Sequence, residues 1–389
     1  MIEIAIVVIA YNRQKSLARL LTTLEDAYYM RNVPLYISID KGDNQSVIDC
    51  ANKFKWSHGT KIVLEQKSNL GLRKHILSCG DLLNQYDAII VLEDDLVVSK
   101  YYYDYALKTV EKYKDDERIA GISLYGFNIN YHNELPFIPM MSSADVYFMQ
   151  NAQSWGEIWM KKQWMSFIEW YQMHDEDFSY SPHLPKSICS WKKSSWLKYH
   201  TKYCIENNKY FVYPYISYSS NVGESGTHAS FSSPLFIVPL RDIPLDNFNL
   251  LDFDDSNVFY DSFFENTMLE KIIQKDVDSN SICIDLYGFK GNQENKRYWL
   301  TTTLANYKVI KSYGLCYSPI ECNVINNMEG SGIFLYDTSI SLKSQITSDR
   351  RRTFYYMNKY DIAHVHNSIL NFGVVSYLKM MVKIILSKF

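Results

Sequence analysis

The segment Ala88-Ile-Ile-Val-Leu92 and the acidic triplet that follows it, Glu93-Asp94-Asp95, decide the predicted fold. An apolar, mostly β-branched run is typical of a strand buried on both faces of a parallel sheet. Three carboxylates directly after such a strand repel one another, and a divalent cation would offset that repulsion. Carboxylate oxygens suit Mg²⁺ or Mn²⁺, which keep coordination positions open for substrate phosphates. The alternative is a solvated acidic turn that caps the next helix.

Three earlier segments, residues 4–9, 35–39 and 61–65, show the same strand pattern, and leucines at helical spacing follow the first of them. Strands that alternate with helices predict right-handed βαβ units and a mostly parallel sheet. Ligands of such sheets bind beyond the carboxyl ends of the strands. Polar residues follow three of the four strands at this edge: Asn12 and Arg13, Asp40 and Asp43, and the acidic triplet.

The rest of the chain is less regular. We expect a helix over residues 101–113, a strand over 119–124, and helices over 155–170 and 194–207. A turn-rich stretch covers residues 219–228, and clustered Pro and Asp at 234–255 indicate a linker. Residues 256–345 have the pattern of a short helix followed by strands.

Composition excludes several classes of protein. The chain has 389 residues, of which 47% are hydrophobic, and its net charge of −3 gives no reason to expect a nucleic-acid-binding surface. Seven scattered cysteines without a CxxC pair argue against a disulfide framework and a structural zinc site, and favour a reducing compartment. The apolar run at residues 4–10 is too short for a signal peptide or a membrane span.

The C-terminal segment, residues 368–389, is rich in Ile, Leu, Val and Met, lacks acidic residues and carries Lys379, Lys383 and Lys388. Arg350-Arg-Arg352 precede it. This composition fits a basic amphipathic helix on an anionic membrane surface. The alternative is a C-terminal helix docked on the protein itself. We expect a cytoplasmic protein that is peripheral on the inner face of the cell membrane.

Several motifs resemble those of GT-A glycosyltransferases. Residues 7–13, Val-Val-Ile-Ala-Tyr-Asn-Arg, resemble the opening strand and turn of family 2-type enzymes. Residues 91–105 and 119–130 are similar to the acidic motif, aromatic helix and next strand of N-acetylglucosaminyltransferase I. Residues 155–164 and 221–228 resemble bacterial polysaccharide and lipopolysaccharide glycosyltransferases. The resemblance covers about residues 1–230.

This resemblance implies an α/β GT-A fold, Rossmann-like, with a mostly parallel central sheet, an enlarged acceptor half and a C-terminal extension. The implied domains are a catalytic domain over 1–240, divided into a nucleotide-sugar half (1–118) and an acceptor half (119–240), an extension over 241–345, and a basic amphipathic tail over 346–389. The implied reaction is inverting transfer of a hexose or N-acetylhexosamine from a UDP-sugar to a glycan or lipid-linked glycan, in bacterial capsule or lipopolysaccharide assembly.

The resemblance also implies roles for individual residues. The cofactor would be Mn²⁺ or Mg²⁺, with Asp95 as the main ligand and His228 as a second ligand or a diphosphate contact. Asp40 would accept a hydrogen bond from uracil, and Asp94 would contact ribose or sugar. The residues implied for nucleotide-sugar binding are Ala10, Tyr11, Arg13, Asp40, Arg73, Glu93 and Asp94.

The general base is less defined, because the stretch that matches the acid beside a tryptophan in N-acetylglucosaminyltransferase I, residues 190–194, contains no acid. An inverting transfer needs a carboxylate near the acceptor hydroxyl. Glu157, between Trp155 and Trp159, is one candidate, with the two rings as acceptor contacts. A Glu in the first turn of a helix is also favoured by the helix dipole alone. Asp177 is the second candidate.

Other enzyme classes lack their motifs here. The chain has no GxGxxG after the first strand and no P-loop, which argues against dinucleotide oxidoreductases and P-loop NTPases. GxSxG and HExxH are also missing. A sugar nucleotidyltransferase and a catalytically degenerate scaffold that binds glycan or nucleotide-sugar remain as alternatives.

Overall fold

The computed structural model describes residues 2–224, 232–277, 279–292, 295–344 and 348–386. His228, the predicted second metal ligand, lies outside these residues. The chain divides into two compact units, residues 1–132 with 137–272 and residues 133–136 with 273–389. The predicted functional boundaries at residues 118, 240 and 345 stay predictions.

The strands of the described residues are β1 (Ile4–Ala10), β2 (Leu35–Ile39), β3 (Lys61–Glu65), β4 (Ala88–Glu93), β5 (Leu96–Val98), β6 (Ile119–Ser123), β7 (Ile129–Asn130), β8 (Leu135–Pro136), β9 (Val146–Met149), β10 (Glu157–Met160), β11 (Tyr210–Pro214), β12 (Ser219–Asn221), β13 (Phe259–Tyr260), β14 (Ile282–Asp285), β15 (Tyr298–Thr301), β16 (Tyr307–Tyr313) and β17 (Ile333–Ser341). The helices are α1 (Gln14–Glu25), α2 (Gln45–Lys53), α3 (Leu72–Cys79), α4 (Tyr102–Tyr113), α5 (Lys161–Gln172), α6 (Lys186–Cys189), α7 (Leu197–Glu206), α8 (Leu269–Val277), α9 (Glu321–Ile325), α10 (Arg350–Asn358), α11 (Ile362–Phe372) and α12 (Val374–Leu386).

A nine-stranded sheet forms the centre of the first unit, in the order β13-β9-β11-β6-β10-β4-β1-β2-β3 among the described strands. The pairs β1–β2, β1–β4, β2–β3, β6–β11 and β9–β13 are parallel, whereas β10 pairs antiparallel with β4 and β6, and β9 with β11. All seven residues of β1 are buried, as expected for a strand covered on both faces. The predicted α/β fold with a mostly parallel central sheet is therefore confirmed.

One prediction of secondary structure was wrong. The segment 155–170, expected as a helix, begins as strand β10 (Glu157–Met160) and becomes helical only at Lys161. Short apolar runs fit a buried strand as well as a helix, and pairing with distant strands decides between them. Here β10 fills the gap between β4 and β6, so Glu157 lies inside the sheet and not in the first turn of a helix.

A small antiparallel pair extends the carboxyl end of β4. Strand β5, which is separated from β4 by Asp94 and Asp95, pairs with β12. The backbone N–H of Val222 then donates to the carbonyl oxygen of Asp95 at 3.1 Å. Gly223 follows with φ of 71°, a conformation that glycine adopts without steric cost. The chain after residue 219 is thereby returned to the acidic turn.

The second unit contains a four-stranded sheet in the order β14-β15-β17-β16 and the helices α9 to α12. Its buried Asp285 accepts hydrogen bonds from the indole of Trp299 at 3.1 Å and the backbone N–H of Lys290 at 2.9 Å. Burial raises the pKa of this carboxyl to about 6. In the parts of the chain that the structure covers, none of the helices is both long and apolar enough to span a membrane.

Candidate functional site

The carboxyl ends of β1, β2 and β4 meet at one edge of the central sheet. The parallel register pairs Ile9 with Glu93 and Ala10 with Ile39. Because of this register, the segments that follow the three strands begin side by side. The structure therefore brings together the residues that follow β1, Asp40 and the acidic triplet, as their positions in the sequence predict.

Arg13 joins the acidic turn to the N-terminus of α1. It is the N-cap residue of that helix, and its guanidinium contacts both Asp94 Oδ1 and Asp95 Oδ2, the latter at 3.1 Å. The backbone N–H of Tyr11 also donates to Asp94. The two carboxylate side chains are 5% and 15% exposed, against 30% for Arg13, so the ion pairs are largely shielded from water.

Burial and mutual repulsion oppose ionisation of this turn. Burial, followed by the charges of Asp95 and Asp94, raises the pKa of Glu93 well above its usual range. Burial raises the pKa of Asp94 to about 6, and Arg13 partly offsets that effect. A nearby cation is therefore needed for the turn to carry its full negative charge at neutral pH.

Asp95 has the unsatisfied acceptor that a metal ligand requires. Its Oδ1 atom is buried and has no hydrogen-bond partner within the described residues. A carboxylate oxygen of this kind suits Mg²⁺ or Mn²⁺. The described residues contain no group of three or more His, Cys, Asp or Glu that could hold a metal ion. A cation at Asp94 and Asp95 would thus have to take its other ligands from water, from substrate or from beyond the described residues.

Asp40 anchors the loop that precedes α3. Its carboxylate, 4% exposed, accepts backbone hydrogen bonds from Lys41 at 2.9 Å, Leu70 at 2.8 Å and Gly71 at 2.9 Å. Gly71 has a φ of 72°. The loop over residues 69–71 is therefore fixed beside the strand ends. Contact of Asp40 with a nucleotide base stays a prediction, and three N–H donors already occupy much of its accepting capacity.

The other residues predicted to bind the nucleotide-sugar differ in their surroundings. Tyr11 is 41% exposed and packs on Gly42, where an added Cβ would lie 2.7 Å from the ring, while Ala10 is buried at the end of β1. The guanidinium of Arg73 lies 5.0 Å from the ring centre of Tyr199 and donates to the Asp175 carbonyl oxygen at 3.5 Å. No contact of Arg73 with the acidic turn is recorded among the described residues.

Sequence reasoning missed a second ion pair near this edge. Arg19 binds the carboxylate of Glu224 through both terminal nitrogens, at 2.7 and 2.9 Å, and Ser16 Oγ donates to the same carboxylate at 2.8 Å. These bonds lower the pKa of Glu224 to about 2. Helix α1 thus binds the segment that follows β12. Partners more than 200 positions apart in sequence leave no local pattern that could have identified them.

The predicted acceptor-side residues are mostly covered by other side chains. Glu157 and Trp159 lie in β10 at 1% exposure each, and the Trp159 ring stacks on Trp164 with 3.7 Å between ring centres. Trp155 is partly exposed and packs against Tyr125. Neither face of a ring stacked inside the core is open to a sugar. The acceptor role of Trp159 stays a prediction that this conformation does not favour.

The two candidate bases have opposite environments. Glu157 Oε1 lies 3.3 Å from Nδ1 of buried His200, and burial raises the pKa of Glu157 well above its usual range while lowering that of His200 to about 3. Burial thus disfavours the charged form of both side chains. Asp177 is 47% exposed and bonds to the buried ammonium of Lys198 at 3.1 Å, which lowers its pKa. Of the two candidates, Asp177 is the one that is accessible to solvent and whose ionised form is favoured.

Comparisons with known proteins give fold likeness alone. No protein-family model and no curated protein matches the sequence. Similar solved structures include S. aureus TarS 1–349 in complex with UDP-GlcNAc, with 15% identity, coverage of 58% of this chain and 60% of that chain, and a TM-score of 0.39. The mannosyltransferase PcManGT from Pyrobaculum calidifontis, in complex with GDP-Man and Mn²⁺, has 10% identity, 43% and 46% coverage, and a TM-score of 0.31.

A cytidylyltransferase from Leptospira borgpetersenii also matches, with 13% identity, 43% and 65% coverage, and a TM-score of 0.27. The matched region spans less than two thirds of each of these three structures. Likeness at this level does not establish a shared activity.

The burial of Glu157 predicts a pH-dependent effect of its substitution. Unfolding lets Glu157 ionise above its ordinary pKa of 4.5, whereas burial raises its pKa in the fold, so the wild type loses stability as the pH rises above 4.5. Glu157→Gln removes this penalty. We expect the stability of Glu157→Gln relative to wild type to rise with pH above 4.5 in urea unfolding, with a slope no steeper than about 1.4 kcal/mol per pH unit.

The exposed Glu176→Gln, which makes the same chemical change outside the core, serves as the matched control and should show no such trend. A stability difference for Glu157→Gln that is constant with pH would show that Glu157 is already ionised in the fold.

Proposed function

We propose that this chain is a metal-dependent glycosyltransferase that transfers a hexose or N-acetylhexosamine from a UDP-sugar to a glycan acceptor. One observation carries the proposal: the carboxylates of buried Asp94 and partly buried Asp95 lie at the carboxyl end of β4 with Arg13 across them and one Asp95 oxygen unsatisfied. This arrangement suits a nucleoside diphosphate and a divalent cation, because it offers hard oxygen ligands beside a cation that can pair with phosphate.

The donor would contact both a loop that is fixed by hydrogen bonds to Asp40 and the more exposed side chains of Tyr11 and Arg13. When bound, Mn²⁺ or Mg²⁺ would stabilise the charge that develops on the leaving diphosphate. Asp95 would hold the cation, and Asp94 would contact the ribose or sugar. The loop that Asp40 fixes would form one wall of the nucleotide pocket, with the exposed ring of Tyr11 beside it. Arg13 would supply positive charge for the phosphates.

Inversion at the sugar requires a base for the acceptor hydroxyl. Burial disfavours the ionised form of Glu157 that a base requires, whereas the exposed Asp177 has its ionised form stabilised by Lys198. We therefore favour Asp177 as the base of the two candidates. Its position near Tyr199 and Arg73 is supported by the cation–π contact of Arg73 with Tyr199 and by the hydrogen bond of Arg73 to Asp175.

A non-catalytic role is the second candidate. The burial of Glu157 favours it, because the chain would then lack one of its two predicted bases. In this role the same donor site would bind nucleotide-sugar without turnover.

The tail helices support a place for the enzyme on an anionic membrane. In α12, the apolar side chains of Val374, Leu378, Val382 and Ile385 lie at helical spacing and are each about half exposed. Lys379 lies near one edge of this stripe and Lys383 on the opposite side of the helix, and the chain from Ile362 onward has no acidic residue. An apolar stripe on a helix whose other side carries ammonium groups suits the boundary between acyl chains and anionic headgroups. We propose that a lipid-linked glycan at the inner face of a bacterial cell membrane is the acceptor.

Substitution of the main metal ligand tests the donor site. Asp95→Asn removes a negative charge and should lower transfer or hydrolysis of the UDP-sugar with Mn²⁺ on the order of 100-fold or more, because charge stabilisation of the diphosphate is lost. Asp115→Asn, in an exposed residue of the same unit, is the matched control and should keep wild-type turnover. Mass spectrometry over a UDP-sugar panel with a lipid-linked acceptor mixture gives the products.

The products also separate the candidate functions. Release of UDP with extension of the acceptor supports glycosyl transfer. Donor binding without turnover in the wild type would favour the scaffold, and formation of UDP-sugar from UTP and a sugar phosphate would identify a nucleotidyltransferase. Equal turnover by wild type and Asp95→Asn would contradict the proposed metal site.

Membrane binding is tested by placing a charge on the apolar stripe. Leu378→Asp should lower cosedimentation with phosphatidylglycerol vesicles at least about tenfold, because it places a carboxylate in the acyl region. Ser376→Asp makes the same charge change on the opposite side of α12 and should lower it much less. Deletion of residues 368–389 should abolish vesicle binding and leave donor hydrolysis intact. Equal vesicle binding by wild type, Leu378→Asp and the deletion would refute this role of the tail.

A further inference from the structure

Arg13 occupies two of the four carboxylate oxygens that Asp94 and Asp95 could offer to a cation. Its guanidinium binds one carboxylate oxygen of Asp94 and one of Asp95, and so bridges the two acidic residues at the end of β4. A guanidinium and a divalent cation cannot both hold these oxygens at contact distance, because two positive charges at that separation repel strongly. Arg13 therefore stands in the place of a cation in this conformation.

The neighbouring arginine is committed elsewhere. Arg19, about two turns further along α1, donates to both carboxylate oxygens of Glu224. The hydroxyl of Ser16 donates to the same carboxylate. This bidentate pair keeps Arg19 from replacing Arg13 at the acidic turn. Among the described residues, Arg13 forms the ion pairs with Asp94 and Asp95.

Arg13 also has the freedom to leave. Its backbone is fixed as the N-cap of α1, where its carbonyl oxygen accepts a hydrogen bond from the N–H of Leu17, but its side chain is 30% exposed, whereas the carboxylates that it binds are nearly covered. A rotation about its own side-chain bonds moves the guanidinium away from the carboxylates without a change in the helix. Guanidinium groups bind phosphates through two parallel hydrogen bonds, so a diphosphate beside the turn would be a favourable alternative partner.

We propose that Arg13 is an exchangeable counterion of the donor site: it neutralises Asp94 and Asp95 in the empty protein, yields their oxygens to the divalent cation, and then binds the nucleotide diphosphate. This inference rests on the proposed donor site. The exchange implies that cation and nucleotide bind cooperatively. The cation releases Arg13 to bind the diphosphate, and the diphosphate holds Arg13 away from the carboxylate oxygens that the cation needs. The coupling is reciprocal, so it is measurable from either ligand.

Titration with Mn²⁺ tests the exchange without turnover. Free Mn²⁺ is measured by electron paramagnetic resonance in the absence and presence of UDP, for the wild type, Arg13→Gln and Arg13→Lys. In wild type, UDP should raise the affinity for Mn²⁺ at least about tenfold. Without UDP, Arg13→Gln should bind Mn²⁺ about tenfold more tightly than wild type, since the competing charge is gone, and its gain from UDP should fall below about threefold.

Arg118→Gln is the matched control, because Arg118 also bridges two carboxylates, those of Asp116 and Asp254, in another part of the same unit. Its Mn²⁺ affinity and its response to UDP should equal those of wild type. Arg13→Lys keeps the charge but cannot form two parallel bonds, so it should fall between wild type and Arg13→Gln. It also carries the test if Arg13→Gln fails to fold.

Two outcomes overturn different claims. If wild type binds Mn²⁺ and UDP but both Arg13 variants have the same Mn²⁺ affinity and the same gain from UDP, the exchange is refuted and the donor site stands. If wild type binds neither ligand, the proposed donor site fails as well.

Discussion

The parallel pairing of β1 with β4 places Ile9 opposite Glu93, and the donor side of the molecule depends on that register. A shift of one residue would turn every side chain of β4 to the other face of the sheet. Because both strands are buried along their whole apolar length, such a shift would carry a large cost. The register therefore fixes where the chain leaves the sheet, and with it the meeting of Arg13 with Asp94 and Asp95.

Burial and the positive charge of Arg13 have opposite effects on the pKa values of the acidic turn. Burial raises the pKa of Glu93 and Asp94, whereas Arg13 acts in the opposite direction on both. An arginine is a weak substitute for a divalent cation, since it leaves the buried Oδ1 atom of Asp95 without a partner. The same site thus stays folded while empty and still offers an unsatisfied ligand atom. A turn whose carboxylate oxygens all had hydrogen-bond partners would offer no free acceptor to a metal ion.

The meeting of polar residues at the carboxyl ends of β1, β2 and β4 could be predicted because its determinants are local. Long β-branched runs identify β1 and β4, and the polar residues that follow them need only the rule for strand ends in parallel sheets. Glu157 shows where this reasoning stops. Its neighbours in sequence fit a helix, but pairing with Val91 and Ser123 makes it a strand residue inside the sheet. Such pairing depends on residues far apart in sequence, which composition and periodicity do not specify.

Two side-chain contacts were likewise not predicted from the sequence. The pairing of Arg19 with Glu224 joins positions 205 residues apart, and the stacking of Trp159 on Trp164 covers a ring that the sequence suggested for a sugar. By contrast, the exposed apolar face of α12 follows from composition, because a helix without a buried partner keeps the pattern of its sequence.

A crystal structure of the protein with UDP and Mn²⁺, with anomalous data at the manganese edge, would show whether the acidic turn after β4 binds a cation together with a nucleoside diphosphate, as we propose. We expect one anomalous peak within coordination distance of an Asp95 carboxylate oxygen and of the diphosphate, with Arg13 turned from Asp94 to a phosphate. A nucleotide bound elsewhere, with Arg13 still bridging Asp94 and Asp95, would contradict this proposal.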